Sequence, residues 1–222
     1  MSNTQRARHL LDEIYAVGVR TILSCAGARN SPLVALLQQD TRFNNLDFFD
    51  ERSAGFFALG RAKATHSPVA VCTTSGTAVA ELFPSIIEAH YSAIPLLLLT
   101  ADRPPSYRGS GAPQSIEQSG IFGSYVECCE DLKEDETIQI GSWSRNRPWH
   151  INICFGEPLF DDANSSPSHS IKSQADETEK DRPLRLPSFE QLDEFLGRVT
   201  RPLVVIGELS PKEAAGVGEW VK

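Results

Sequence analysis

Two short apolar runs, at residues 68–73 and 95–100, constrain the fold of this chain more than any other feature. Each is rich in Val or Leu, neither alternates with polar residues, and a helix-length segment separates them. Strands that read this way are covered on both faces, as in a parallel sheet. The same alternation of strand and helix patterns runs through residues 1–155. Thr4 caps a helix with an apolar face of Ala7, Leu10, Leu11, Ile14 and Val17 that ends at Gly18, and residues 19–24 form a strand. Ser31 and Pro32 open a second helix, residues 46–49 form a strand, and Asp50 caps a helix running to Thr65. One helix spans residues 77–91, and weaker strands are expected at 124–127 and 149–153. Strand–helix–strand units with short connections make right-handed crossovers. The expected fold is therefore α/β, a parallel sheet covered by helices on both faces, with ligands at the carboxyl ends of its strands.

Composition changes after residue 160. The expected organisation is one domain over 1–160, a polar linker over 161–188, and the start of a truncated central α/β domain over 189–222. In the last segment a helix is expected near 189–199, a strand at 202–206 and a helix from Pro211. A chain stopping at the start of a new unit implies a larger protein that has been cut, or a partner that completes it. The net charge of −8 argues against nucleic acid, whose phosphates need clustered Lys and Arg. The longest apolar run, residues 94–99, is far short of a membrane span. Five cysteines without a C-x-x-C pair, and no secretory apolar segment at the amino terminus, fit reduced thiols in the cytoplasm.

The unusual residues fall at strand-to-helix turns. Glu51 follows a strand amid Phe48, Phe49, Phe56 and Phe57. By itself it reads as an acid in a first helical turn; functionally, it reads as a carboxyl in an apolar pocket that can share a proton with a ligand nitrogen. Thr74, Ser75, Gly76 and Thr77 form a small-residue turn that lets backbone approach a ligand, or simply a capped helix start. Arg29 sits near a helix amino terminus, where a carboxylate is favoured and a solvated Arg is the plain alternative. Asp102 before Arg103 reads by itself as a surface ion pair, at the head of a long Gly- and Pro-rich loop that carries Gln114. His150 on a core strand, Cys25, Cys72, Trp143 and Trp149 read as packing, and no histidine has metal-ligand spacing.

Taken in order, Phe49-Asp50-Glu51-Arg52, Thr74-Ser75-Gly76-Thr77-Ala78, Thr100-Ala101-Asp102-Arg103-Pro104-Pro105 and Gly111-Ala112-x-Gln114-x-Ile116 form a recognisable set. It resembles the amino-terminal pyrimidine-binding domain of thiamine-diphosphate enzymes, and within them the SEPHCHC synthase family of menaquinone biosynthesis. His150-Ile151-Asn152 and Glu157-Pro158-Leu159 resemble that family's close of the domain. The resemblance implies decarboxylation of 2-oxoglutarate and addition of the succinyl carbanion to isochorismate. It implies that Glu51 hydrogen-bonds N1′ of the cofactor's aminopyrimidine, with Thr74, Ser75, Gly76 and Thr77 also at the cofactor. Arg29, Arg103 and Gln114 match positions on the substrate side, where both substrates bring carboxylates.

In such enzymes Mg²⁺ and the diphosphate are held by a Gly-Asp motif and a later Asn in a separate domain. No Gly-Asp dipeptide occurs in this chain. The resemblance therefore implies that a diphosphate-binding domain of the same or another chain completes the site, in a homo-oligomer, and that this chain alone is inactive. Ala26, Ala28, Asn30 and Pro113 differ from the family's usual residues, which leaves the acceptor specificity open. Two other readings keep the fold: the small subunit of a split thiamine-diphosphate decarboxylase, and a non-catalytic binding module.

Overall fold

The structure, a computed structural model, describes residues 1–141 and 143–160, together with 193, 194, 197 and 198. The linker expected at 161–188 and the strand and helix expected after residue 200 lie outside the described residues, as does most of the helix expected at 189–199. The chain divides into two compact units, Met1–Ser168 and His169–Lys222. Of the second, Arg198 pairs with Glu194 one helical turn away.

In the first unit, α1 (Asn3–Ala16) is followed by β1 (Thr21–Ser24), α2 (Ser31–Leu37), β2 (Asn44–Asp47) and α3 (Glu51–Thr65). Then come β3 (Val69–Thr73), α4 (Thr77–Glu81), α5 (Phe83–Tyr91), β4 (Leu96–Asp102), β5 (Cys128–Leu132) and β6 (Trp149–Cys154). The six strands form one sheet in the order β2-β1-β3-β4-β6-β5, and every neighbouring pair is parallel. The expected α/β class is what the structure has.

Both faces of the sheet are apolar. On one, Ile22, Ala70, Cys72, Leu97, Leu99, Ile151 and Ile153 meet α1 and α2; on the other, Leu23, Val69, Val71, Leu96 and Leu98 meet α3, α4 and α5. Alternate residues of each strand thus serve opposite layers, which is why the runs read as continuous. Among the described residues no helix is long and apolar enough to cross a membrane.

Four expectations shift. The cap of α1 is Ser2, not Thr4, because Ser2 and Gln5 form a reciprocal capping box. The helix expected over 77–91 is two, α4 and α5, divided at Leu82 where Pro84 lacks the N–H that a continuous helix needs. The strand expected at 46–49 lies two residues earlier, at Asn44–Asp47 in register with Thr21–Ser24. The strand expected at 124–127 is a 3₁₀ turn, Gly123–Tyr125, and the real strand is Cys128–Leu132. That polar edge segment is strand because it pairs with β6, a tertiary demand that outweighs its propensity.

Among the described residues, the crossover from β5 to β6 contains no helix. Residues 133–148 instead insert Ile138, Ile140 and Trp143 into the layer beneath α1. Arg6 of α1, only 3% exposed, binds this segment by donating to the carbonyls of Leu132, Lys133, Glu136 and Cys154. A buried guanidinium is tolerated when backbone oxygens take its donors.

Candidate active site at the strand exits

The strand order reverses between β1 and β3, and in open α/β sheets the carboxyl edge at such a reversal is where ligands bind. At the β1 exit the Asn30 side chain is fully buried and braces its own turn: Oδ1 accepts from Gly27 N–H at 2.8 Å and Nδ2 donates to the Cys25 carbonyl at 3.0 Å. The β1 and β3 exits touch closely, since a Cβ on Gly27 would lie 2.5 Å from the Thr74 Cβ. Only a glycine permits that approach.

After β3, Gly76 adopts φ of +84°, a conformation that favours glycine. Its N–H donates to Gln118 Oε1 at 3.0 Å, and a Cβ there would meet the Gln114 backbone at 3.1 Å. Arg103, at the β4 exit, donates from one terminal nitrogen to Ser75 Oγ at 2.8 Å and the Gln114 carbonyl at 3.0 Å. Ser75, Gly76, Arg103 and Gln114 are therefore one contiguous group. Arg103's other side-chain N–H groups make no hydrogen bond among the described residues.

Asp102 is not the surface ion-pair partner of Arg103. It is 1% exposed, accepts from the Arg103 backbone N–H at 2.8 Å, and pairs with Arg108 at 3.1 Å. The 103–122 segment folds over a buried polar network built on that contact. Arg108 also pairs with Asp131 at 2.7 Å, and Asn152 Nδ2 donates to both Asp131 and Asp102. Asn152 Oδ1 accepts from Gln118 Nε2 at 2.7 Å and Thr100 Oγ1 at 2.9 Å. Burial raises the Asp131 pKa, but hydrogen bonds from Arg108 and Asn152 outweigh it and hold the carboxyl below its ordinary value.

Because Thr100 spends its proton on Asn152, it must accept from His150 Nε2, 2.7 Å away. The His150 Nδ1 is then an acceptor facing the Cys129 thiol at 3.4 Å. This is a neutral histidine, and burial pushes its pKa down to about 4. The reading of His150, Cys25, Cys72, Trp143 and Trp149 as interior residues agrees with their burial.

Glu51 begins α3 directly after β2, while Asp50 caps the helix by accepting from Ser53 N–H at 2.7 Å. Its carboxylate makes no hydrogen bond among the described residues. It lies near Cys25, whose thiol burial and then Glu51 push up to about 12. The apolar pocket expected around Glu51 is not closed by its neighbours: Phe49 is wholly exposed, and Phe56 and Phe57 are 44% and 45% exposed. Arg29 points elsewhere, donating to the Phe155 carbonyl at 2.9 Å and pairing with Glu157 at 3.0 Å beyond β6, with its Nε buried and without a partner. Thr77, the first residue of α4, is exposed. No cluster of metal ligands occurs among the described residues.

Sequence reading missed Gln118, Asn152, Asp131 and Arg108. One signal was present: an Asn on a strand otherwise made of buried residues needs a partner.

The family described as thiamine pyrophosphate enzyme, N-terminal TPP binding domain, matches residues 5–121. The chain is 44% identical over its whole length to the 2-succinyl-5-enolpyruvyl-6-hydroxy-3-cyclohexene-1-carboxylate synthase of Bdellovibrio bacteriovorus, covering 42% of that protein. The synthase of the same name from Akkermansia muciniphila is 47% identical over 68% of this chain and 29% of its own. That from Bacillus pumilus is 38% identical over 90% of this chain and 37% of its own. The chain thus spans less than half the length of these relatives.

Proposed function

This chain belongs to the family of N-terminal TPP-binding domains of thiamine pyrophosphate enzymes, and from that premise we propose that it is the pyrimidine-binding part of a SEPHCHC synthase. The reaction is the decarboxylation of 2-oxoglutarate followed by addition of the succinyl unit to isochorismate. The observation that carries the reading is Glu51, a carboxylate at a strand exit whose oxygens have no partner among the described residues while its neighbour Asp50 does the capping. An acceptor kept free beside a turn open to close backbone approach fits the aminopyrimidine end of thiamine diphosphate. The match to the Bdellovibrio synthase runs past residue 160 through the whole chain, which favours this reading over the small subunit of a split decarboxylase.

Bound thiamine diphosphate supplies the stabilisation of a carbanion that loss of CO₂ from a 2-oxo acid requires. The protein's part is position and charge. Glu51 holds a proton shared with the ring nitrogen N1′, and Thr74, Ser75, Gly76 and Thr77 bring backbone against the ring. Arg103 keeps N–H donors for a substrate carboxylate after bracing Ser75 and Gln114. Gln114 offers its amide beside it, and Arg29 meets the second carboxylated substrate by exchanging Glu157 for it at the β6 side. Mg²⁺ and the diphosphate are held by a separate domain, of the same or another chain, in a cytoplasmic homo-oligomer.

The test is an assembly containing the diphosphate-binding domain, assayed with Mg²⁺, thiamine diphosphate, 2-oxoglutarate and isochorismate. CO₂ release with a coupled product is expected, and Glu51→Gln should lower turnover by roughly 10²–10⁴ with the fold intact. Equal activity of Glu51→Gln, or no decarboxylation by the parent, refutes the assignment.

A further inference from the structure

Gln118 is fully buried and joins three strand exits through one amide. Its Oε1 accepts from Gly76 N–H after β3, and its Nε2 donates to the Ala101 carbonyl of β4 at 3.1 Å and to Asn152 Oδ1 of β6 at 2.7 Å. The amide has one possible orientation, because a backbone N–H faces one end and a carbonyl the other. Asn152 cannot turn over to compensate, since its Nδ2 is held by the carboxylates of Asp102 and Asp131. The bond to Gly76 fixes the turn whose Cα side packs on Gln114, and Gln114 is in turn held by Arg103.

We propose that Gln118 is a positioning residue that sets the Ser75–Gly76 turn against Arg103 and Gln114, and so aligns the cofactor side of the site with its substrate side. This rests on the function proposed above. Gln118 reaches no ligand itself; it acts through the Gly76 amide and the loop that Gln114 begins. Glu51, on a different strand exit, lies outside its reach.

Gln118→Glu in the complete enzyme tests this. The introduced carboxyl can accept from Gly76 N–H in either charge state, but only its protonated form can donate to Asn152. Ionised, it faces two oxygen acceptors, with Asp102 and Asp131 one bond further through Asn152, Arg108 behind those two carboxylates, and His150 neutral behind Thr100. Burial and the two carboxylates raise its pKa, so the bond set is intact at acid pH and broken at alkaline pH. The readout is hydrogen exchange of peptides covering residues 74–82 and 111–121, as a ratio to the parent, without cofactor at pH 6 and pH 8.5.

Exchange about tenfold or more faster at pH 8.5, returning towards parental at pH 6, is expected, with α1 peptides unchanged at both; kcat should fall in step, by about tenfold or more. Gln118→Met, which cannot donate at any pH, should be fast at both. A Gln118→Glu ratio near one at both pH values, or equal loosening of α1, overturns the proposal. If the parent lacks turnover with 2-oxoglutarate and isochorismate, the reaction proposed above fails, and the exchange ratio still decides Gln118.

Discussion

Acidifying the protein should destabilise it through His150 before its depressed carboxylates begin to protonate. The ring is neutral and fully buried between Thr100 and Cys129, edge-on to Phe122 at 4.8 Å. Burial takes its pKa from 6.5 to about 4, with only Asp131 pulling the other way. Between those values the unfolded chain binds a proton that the folded chain refuses, so stability rises with pH across the window and falls as pH drops through it. The cost starts below pH 6.5, reaches about 2 kcal/mol at pH 5 and about 3 kcal/mol once both states are protonated. Urea unfolding at pH 7, 6 and 5 measures it, with His150→Gln as the control that removes the titration. The parent should lose about 2 kcal/mol more than His150→Gln between pH 7 and pH 5. Parallel losses in the two proteins refute the argument, whatever the absolute stability of the variant.

Gly27→Ala should destabilise by about 1–3 kcal/mol, because the new methyl meets Thr74 atoms at 2.5–2.7 Å and the β1 or β3 exit must shift; an unchanged melting temperature would count against the close approach. Arg103→Lys should raise the KM of a carboxylate substrate by about tenfold or more, since one ammonium cannot brace Ser75 and the Gln114 carbonyl while presenting a fork to substrate. Arg29→Lys should also raise one substrate constant; if steady-state kinetics leave both unchanged, Arg29 serves only to tie the β1 turn to Glu157.

The sheet was legible because burial on two faces leaves a mark on each strand by itself. Residues 68–73 and 95–100 could be read without knowing their neighbours, and Asp50 as cap placed Glu51 at the head of α3. The break between α4 and α5 was legible too, in Pro84, and was passed over. β5 was not: Cys128–Leu132 has no alternation and, beside two cysteines, one aliphatic residue, Leu132, and it is strand because β6 lies beside it. The polar network was hidden for a related reason. Gln118 and Asp131 are ordinary in their own segments, Asn152 signals only that a partner is needed, and the partners lie tens of residues away. Arg29 shows the limit from the other side, since its turn was placed well but its side chain went to Glu157.

The polar groups buried on the α3–α5 face of the sheet give the site a direction. Each would cost about 1–3 kcal/mol if left without a partner, yet His150 donates to Thr100, Thr100 to Asn152, and Gln118 to Asn152 and Ala101. Asn152 in turn donates to the two carboxylates that Arg108 clamps. Reversing any one of these bonds would set acceptor against acceptor or donor against donor, so the network has a single arrangement. The exits of β3, β4 and β6 are consequently fixed before any ligand arrives. At the β2 exit the opposite holds: Glu51 has no partner among the described residues, and exposed Phe49 and Phe56 flank it. A carboxylate that must share a proton with a ring nitrogen gains nothing from an internal hydrogen bond that the ring would have to break. In the function proposed above, the rigid side would set where substrate groups sit, and the open side would leave the Glu51 acceptor free for the cofactor.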